Sequence, residues 1–472
     1  MLLNLETRRT DDRPEKVIRT GTQRDHDRVL YSSSFRRLGG VTQTAMGPAT
    51  AHIHNRLTHS LKVEHMGAAL YQVLTLRNPD LEIDQDAIRA ACLAHDLGHP
   101  PFGHIAEDEL NHLLHCAEHQ ETSTTSSERT HRGEANHDRC GNCHLPDGFE
   151  GNAQSFRILT RLEAHKSNVG YGLNLTLLSL RATSKYPWLC GDNDAKPGKW
   201  GAFDCDAHIL DEACPQGKKD IHADIMDWAD DIAYAVHDLE DFFTAGLIPL
   251  QEHSFVSPTA TRFARYVEPK RHPTEAALAA WEELREYFPK SSFIGSNSDL
   301  KKLDTLRSTL ISQALDAVTV TDTGLVPDPL AKQVNGLLKE LTWYHIIDNP
   351  DLTLVQQGQR GVIRRLYGRF YGQLVENKKS PTCYRKLEPA VRANGGKPTP
   401  AMNVFPARLR RYLGLAWGSK NMGDYETQHR TTRAIVDYIA SLSDADAYRI
   451  DEILNGAAHQ ATLGSASFTR GG

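Results

Sequence analysis

The chain has 472 residues, of which 39% are apolar and 24% charged, a composition typical of folded globular proteins. Collagen-like, disordered and disulfide-framework proteins are excluded, and eight cysteines in this length favour reduced thiols. The net charge of −6 does not require a nucleic-acid partner, although a local basic groove stays open. The opening segment lacks an apolar leader and no apolar run could span a membrane, so we expect a cytoplasmic protein with no membrane partner.

Most of the chain has apolar residues at three- and four-residue spacing, which predicts an all-α fold with inserted loops and a helical C-terminal extension. The first strong signal is a helix of small residues over 84–95, which ends before Gly98. His95 and Asp96 are therefore expected in its last turn.

A second helix is expected over 222–243, with one continuous apolar stripe. Asp230, Tyr234 and Asp238 follow one another at four-residue spacing and therefore share one edge of that helix. The row that starts at the neighbouring Asp231 carries no further polar chemistry. If one of these two aspartates binds a metal ion, Asp230 is thus the preferred ligand. Asp231 is expected to cap a helix, to pair with a cation or to be solvated.

Two polar stretches interrupt the helical pattern. Residues 115–145 and residues 191–219 are both expected to be inserted loops. Beyond them, amphipathic helices are expected over 275–287, with Thr274 as the N-cap, and over 431–441.

An adjacent histidine and aspartate are costly to bury unless they pair or bind a cation, and such a dipeptide alone is more often structural. Further ligands change that balance, since His59 lies upstream and Asp230 lies on the later helix. The set of His59, His95, Asp96 and Asp230 suits a divalent ion such as Mn²⁺, Mg²⁺, Co²⁺ or Ni²⁺.

Three further polar residues follow the dipeptide. His104 and Glu107 are three apart and would share a helix face, a spacing that suits an imidazole oriented by a carboxylate as nucleophile or general acid. Ordinary polar loop residues are the alternative interpretation. Glu150 could add a second orienting carboxylate, with helix capping as its alternative.

Several blocks of the sequence occur in the order of one known family. They are Arg24-Asp25-x-x-Arg28, Ser34-Phe35-Arg36-Arg37-Leu38, Thr42-Gln43, Asn55-Arg56-Leu57-Thr58-His59-Ser60, His95-Asp96-Leu97-Gly98-His99-Pro100-Pro101-Phe102-Gly103-His104, Phe149-Glu150-Gly151-Asn152-Ala153-Gln154 and Ala229-Asp230-Asp231-Ile232-Ala233-Tyr234. Together they resemble the dNTP triphosphohydrolases of the HD superfamily, the dGTPase-like group. Residues 436–444 are similar to the family's C-terminal block, so the resemblance spans nearly the whole chain.

The resemblance implies hydrolysis of dGTP or several deoxynucleoside triphosphates to a deoxynucleoside and inorganic triphosphate, with a divalent metal on the four ligands named above. His104 would be the catalytic histidine, oriented by Glu107 and Glu150. By the same resemblance, His99 and Arg56 would contact phosphates. The sugar would be surrounded by Gln43, Tyr234 and Asp238.

The expected organisation has three parts: a substrate-site segment over 1–58, an HD metal-binding core over 59–245, and a helical region over 246–472 that completes the nucleotide site and the subunit contacts. A homo-oligomer is implied by the family. Two HD-site alternatives stay open: a phosphohydrolase of nucleoside monophosphates or cyclic nucleotides, and a DNA-binding or regulatory protein with a residual site.

Two weaker signals lie outside the expected site. Cys140 and Cys143 form a Cys-x-x-Cys turn, which is half of a zinc site or part of a solvated loop. Basic and aromatic residues alternate over 364–371 and 408–412. This pattern leaves open an allosteric nucleotide, single-stranded DNA, a solvated face or a subunit contact.

Overall fold

A computed structural model of the chain describes residues 7–9, 19–44, 54–116, 143–164, 170–418 and 423–457. These residues are mainly helical with one small two-stranded sheet, so the predicted all-α fold is confirmed. They form two compact units. The first comprises the described residues within Met1–His95, Leu175–Lys185 and Lys218–Gln356, and the second comprises those within Asp96–Asn174, Tyr186–Gly217 and Gln357–Gly472. The three-part division expected from the sequence stays a prediction.

In chain order the helices are α1 (Gly21–Leu30), α2 (Ser33–Arg37), α3 (Arg56–Arg77), α4 (Gln85–Ala94), α5 (His104–Leu114), α6 (Gly151–Arg157), α7 (Leu177–Thr183), α8 (Ala207–Ala213), α9 (Ile221–Thr244), α10 (Leu250–His253), α11 (Pro258–Arg271), α12 (Glu275–Arg285), α13 (Asn297–Asp316), α14 (Pro329–Thr342), α15 (Pro350–Tyr371), α16 (Tyr384–Ala393), α17 (Ala407–Trp417), α18 (Asp424–Ala440) and α19 (Asp444–Leu454). Short 3₁₀ or π-helical turns cover Leu38–Gly40, Ile158–Leu162, Asp204–Asp206, Trp343–Ile347, Gly372–Glu376 and Pro400–Met402. The strands β1 (Val318–Thr321) and β2 (Gly324–Pro327) pair antiparallel. Each strand is too short to give a clear alternating pattern, which is why the hairpin was not predicted.

The core of the first unit is built around α9, which packs against α3, α4 and α14. The predicted apolar stripe of α9 is buried, including Ile225, Ile232 and Val236. Helices α3 and α4 approach closely because Gly67 has no side chain, and a Cβ there would lie 2.6 Å from Cys92 Sγ. Small residues therefore bring the start of α3 and the end of α4 beside the middle of α9.

In the second unit, the segment after α4 packs against the start of α6. A Cβ on Gly98 would lie 2.1 Å from the carbonyl oxygen of Gly151, so only glycine fits at this position. Helix α18 supports the other side of α6, because the buried Asp437 accepts hydrogen bonds from Gln154 and Arg157. This packing holds the segment that follows α4 against α6.

The prediction that residues 191–219 form only a loop is wrong. Helix α8 lies within this stretch, and its Ile209 and Leu210 are buried. The apolar pattern of α8 is only two turns long and is surrounded by polar and glycine residues, so it was not recognised in the sequence. Most of the stretch 115–145 lies outside the described residues, including Cys140, so the predictions made for it are not assessed.

The C-terminal helix predictions hold in part. Thr274 caps α12 as predicted, since its side chain accepts a hydrogen bond from the backbone N–H of Ala277. Helix α18 begins at Asp424, earlier than the predicted start at 431. None of the described helices combines the length and the apolar character needed to cross a bilayer.

Candidate metal and catalytic site

Three helices of the first unit bring together two histidines and an aspartate. His59 lies in the first turn of α3, His95 is the C-cap of α4, and Asp230 lies on α9. The Oδ1 atom of Asp230 is 3.0 Å from His59 Nε2 and 3.5 Å from His95 Nε2. Two atoms that bind one ion at about 2.1 Å each stand roughly 3.0–3.4 Å apart, so these spacings fit ligands of a single ion.

The chemistry of the donors also fits a metal. His95 donates its Nδ1 hydrogen to the carbonyl oxygen of Cys92 at 2.7 Å, which leaves the Nε2 lone pair directed to the cluster. Asp96 is the next residue in the chain after His95. His59 and His95 are among the groups that could hold a divalent ion, and the part of Asp96, which belongs to the second unit, stays a prediction.

Two cations border the carboxylates of α9. Burial alone would raise the pKa of Asp230, but the imidazoles of His95 and His59 outweigh it and hold this pKa well below its usual range. Lys185, which the sequence analysis missed, has its Nζ atom 3.5 Å from Asp230 Oδ2. Asp231 instead pairs with Lys339 at 2.5 Å, as expected for a carboxylate outside the site.

A strained turn precedes the predicted catalytic histidine in the second unit. Phe102 and Gly103 both have left-handed backbone conformations, with φ of 66° and 62°. Phe102 is held there because its N–H donates to Asp444 Oδ1 at 2.8 Å. Strain of this kind persists only where the surrounding structure enforces it, and here it places His104 at the first position of α5.

His104 and Glu107 meet as their spacing predicted. Glu107 Oε2 accepts a hydrogen bond from His104 Nδ1 at 2.9 Å, and the His104 side chain is 55% exposed, so its Nε2 face is accessible to a ligand. His99 Nδ1 lies 3.1 Å from Asp96 Oδ1, and the rings of His99 and His104 are 5.1 Å apart. His99, His104 and Glu107 form a second group of potential metal ligands by proximity.

Lys199 is the second residue missed in the sequence. Its Nζ atom lies 2.8 Å from Glu150 Oε1 and 3.4 Å from Glu107 Oε1. Burial alone would raise the pKa of Glu107, but Lys199 and His104 hold it well below its usual range. Glu150 caps α6 through the N–H groups of Asn152 and Ala153, so its contact with Glu107 runs through Lys199.

Gln43 and Asp238, two of the predicted sugar contacts, lie near the start of α3 with the predicted phosphate contact Arg56. Buried Arg56 donates to the backbone carbonyls of Thr42 and Gln43, each at 3.2 Å. Thr44 donates to Asp238 Oδ2 at 2.7 Å, which links this segment to α9. Tyr234 lies one turn before Asp238 on α9, and its ring is 5.4 Å from Lys339 Nζ.

His54 is a further residue that sequence reasoning did not single out. Its Nε2 lies 3.0 Å from Asp238 Oδ1, and its Nδ1 lies 2.5 Å from Asp241 Oδ2. Burial alone would lower the pKa of His54, but the two carboxylates outweigh it and raise this pKa to about 9. The available signal was its position just before the Asn55 cap of α3.

The segment that carries His59, His95 and Asp96 matches a known domain family. Residues 56–135 match the family model described as "HD domain". A deoxyguanosinetriphosphate triphosphohydrolase-like protein of Streptomyces coelicolor is 41% identical over 242 residues, which span 49% of each chain.

Longer matches come from two other bacteria. The deoxyguanosinetriphosphate triphosphohydrolase-like protein of Bifidobacterium longum is 33% identical over 72% of this chain and 68% of that protein. The deoxyguanosinetriphosphate triphosphohydrolase-like protein 2 of Vibrio cholerae is 34% identical over 75% and 78%. The chain therefore belongs to the deoxyguanosinetriphosphate triphosphohydrolase-like family, and this membership supports a phosphohydrolase.

Proposed function

We propose that this protein hydrolyses deoxynucleoside triphosphates, dGTP or several of them, to a deoxynucleoside and inorganic triphosphate in a metal-dependent reaction. The observation that carries the proposal is the spacing of His59, His95 and Asp230, which fits one divalent ion. The names of the relatives add the substrate class.

His59, His95, Asp96 and Asp230 would hold the ion, with Mn²⁺, Mg²⁺, Co²⁺ and Ni²⁺ as the proposed metals. When bound, the ion supplies Lewis-acid stabilisation of the charge that develops on the phosphate oxygens. The Nδ1 hydrogen bond of His95 fixes that ring in the orientation in which Nε2 faces the cluster.

His104 would act on the α-phosphate as the proton-transfer residue. Because Glu107 accepts the Nδ1 hydrogen, the accessible Nε2 of the protonated ring can donate a proton. As water adds to the α-phosphorus and releases a proton to solvent, the bond from phosphorus to the 5′ oxygen breaks, and the proton of His104 neutralises the departing oxygen. A solvent proton then restores the imidazolium. Glu107, supported by Lys199, stabilises the imidazolium before transfer, and Glu150 would orient His104 through the same lysine.

Arg56 and His99 are proposed phosphate contacts, and Gln43, Tyr234 and Asp238 are proposed sugar contacts. Asp238 is buried and fixed by His54 and Thr44, which suits it to accept a hydrogen bond from a 3′-hydroxyl. A fixed buried acceptor discriminates strongly against a substrate that lacks its partner hydroxyl. A homo-oligomer, an allosteric nucleotide and single-stranded DNA stay predictions from the sequence.

The test is to incubate metal-stripped protein and Mn²⁺ with the four dNTPs, singly and mixed, and to separate the products by ion exchange. We expect deoxynucleoside and intact triphosphate, and we expect Asp230→Asn and His104→Ala to reduce the release of both. Asp231→Asn is the matched control, because this neighbouring carboxylate pairs with Lys339.

Other products identify the rival functions. Turnover of a nucleoside monophosphate or a cyclic nucleotide, with no attack on dNTPs, would contradict the proposal and favour a different HD phosphohydrolase. No turnover, together with salt-dependent DNA binding that survives His95→Ala, would favour a DNA-binding or regulatory protein.

A further inference from the structure

The histidine–glutamate cluster of the second unit depends on Lys199, which lies in a segment without regular secondary structure. Its ammonium group reaches Glu107 on α5 and Glu150 at the N-cap of α6. A lysine side chain has a flexible four-carbon stem, so its charge is placed accurately only when the backbone that carries it is fixed. The contacts that fix the backbone at Lys199 therefore influence the geometry of the cluster.

Trp188 makes two contacts with this part of the backbone. Its indole Nε1–H donates to the carbonyl oxygen of Lys199 at 2.7 Å, and its own carbonyl oxygen accepts a hydrogen bond from the N–H of Gly201 at 2.9 Å. The indole bond is short, since N–H···O hydrogen bonds are usually about 2.9–3.0 Å long. Together the two bonds hold the chain from 199 to 201 against Trp188.

Trp188 is itself fixed by its neighbours. Its N–H donates to the carbonyl oxygen of Tyr186 at 2.8 Å, which closes a three-residue turn centred on Pro187, whose restricted φ favours such a turn. The rings of Tyr186 and Trp188 have their centroids 5.6 Å apart. A Cβ on Gly201 would lie 2.0 Å from the carbonyl oxygen of Tyr186, so this glycine lets the two segments touch. Trp188 is therefore a rigid anchor for Lys199.

The residues between the two, 189–198, form a surface loop whose middle is exposed. The N–H of Lys199 donates to the carbonyl oxygen of Lys196 in this loop at 3.0 Å. A hydrogen bond to an exposed loop follows the motion of the loop, whereas the bond to Trp188 ties Lys199 to the buried surroundings of Tyr186. Of these two bonds, the one from the indole therefore sets the position of the lysine.

We propose that Trp188 is a positioning residue: its indole N–H holds the backbone of Lys199 so that the ammonium group stays beside Glu107 and Glu150. The effect on turnover rests on the proposed function, whereas the restraint on Lys199 does not. Without the indole bond, the backbone of Lys199 follows the exposed loop, and the two carboxylates hold their counter-charge less firmly. The effect of Trp188 on the cluster passes through Lys199.

The first test is a double-mutant cycle of Trp188→Phe and Lys199→Met, measured as kcat with the dNTP that wild type hydrolyses fastest. Trp188→Phe removes the indole N–H and keeps an aromatic ring, so it should lower kcat about 3- to 10-fold and leave KM near wild type. In the Lys199→Met background, the same change should lower kcat less than about twofold, because the charge it positions is gone. No loss in Trp188→Phe, or an equal loss in both backgrounds, would overturn the proposal. Trp200→Phe is the matched control and should keep the wild-type rate, since the buried Nε1 of Trp200 has no hydrogen-bond partner in the described part of the chain.

The second test requires no hydrolysis. Burial alone would lower the pKa of Lys199, but Glu107 and Glu150 outweigh it and raise this pKa, so acetic anhydride should acylate this amine slowly. In Trp188→Phe the rate at Lys199, measured by peptide mass spectrometry, should rise about threefold or more, while the exposed Lys378 keeps its rate. An unchanged rate at Lys199 would overturn the proposal whether or not dNTPs are hydrolysed. A faster rate in a protein that hydrolyses no dNTP would support the restraint on Lys199 and contradict the proposed function alone.

Discussion

The metal-ligand cluster and the histidine–glutamate cluster are built in different ways. His59, His95 and Asp230 come from three helices that approach through small residues, and the packing core fixes their spacing. His104 and Glu107 instead lie on one helix turn, and their counter-charge comes from Lys199 in an irregular segment. Helix packing thus sets the ligand geometry of the first cluster, whereas the electrostatics of the second cluster depend on one distant lysine.

Asp230→Asn should break the first cluster and have the largest effect. The amide removes the charge shared by His59 and His95, so metal affinity and turnover should both fall, with kcat lowered by about 10⁴-fold or more. Metal content by elemental analysis and triphosphate release are the measurements. Asp231→Asn should keep the metal content and the triphosphate release of wild type. Equal losses in the two variants would contradict the assignment of Asp230 as a metal ligand.

His104→Ala should break the second cluster while leaving the first intact. Loss of the proton-transfer group should lower kcat by about 10²–10³-fold. Metal content should match wild type, because none of the proposed metal ligands changes. His65→Ala, an exposed histidine on α3, controls for the loss of an imidazole. Loss of metal in His104→Ala would mean that His104 is a ligand and would merge the two clusters.

Lys199→Met should weaken the second cluster and have a smaller effect than His104→Ala. Without this cation, Glu107 and Glu150 lose their counter-charge and hold His104 less firmly, which should lower kcat about 10- to 100-fold. Lys199→Arg should recover most of the rate, since it keeps the charge. Separate measurements of kcat and KM distinguish the two roles of Lys199. A change confined to KM would assign Lys199 to substrate binding instead.

His54 gives the smallest expected effect, a pH dependence of stability in the first unit. Its pKa rises on folding from 6.5 to about 9, so its ion pairs stabilise the fold fully below pH 6.5 and are lost as the pH rises through about 9. Below pH 6.5, the difference in unfolding free energy between wild type and His54→Gln should be on the order of 2 kcal/mol. Denaturant titrations across this range measure it, and a difference that grows with pH would contradict the assigned ion pairs.

The helices and the pairs of residues on one helix could be predicted from the sequence. The long-range contacts could not. The edge of α9 that carries Asp230, and the pairing of His104 with Glu107, follow from helical periodicity. Lys199 lies 92 residues beyond Glu107, so no spacing rule connects the two. Helix α8 and the β1–β2 hairpin were missed because each is short and surrounded by polar residues. The one available signal for His54 was its position just before the Asn55 cap, since its two partners lie on α9, far along the chain.

The most direct test of the central claim is hydrolysis of dGTP in water enriched in oxygen-18, with mass analysis of both products. Attack of water on the α-phosphorus predicts the label in inorganic triphosphate and none in the deoxynucleoside. Label in the deoxynucleoside would show that the bond between the 5′ carbon and its oxygen breaks, and it would contradict the role given to His104. Release of orthophosphate or diphosphate in place of triphosphate would contradict the proposed reaction itself.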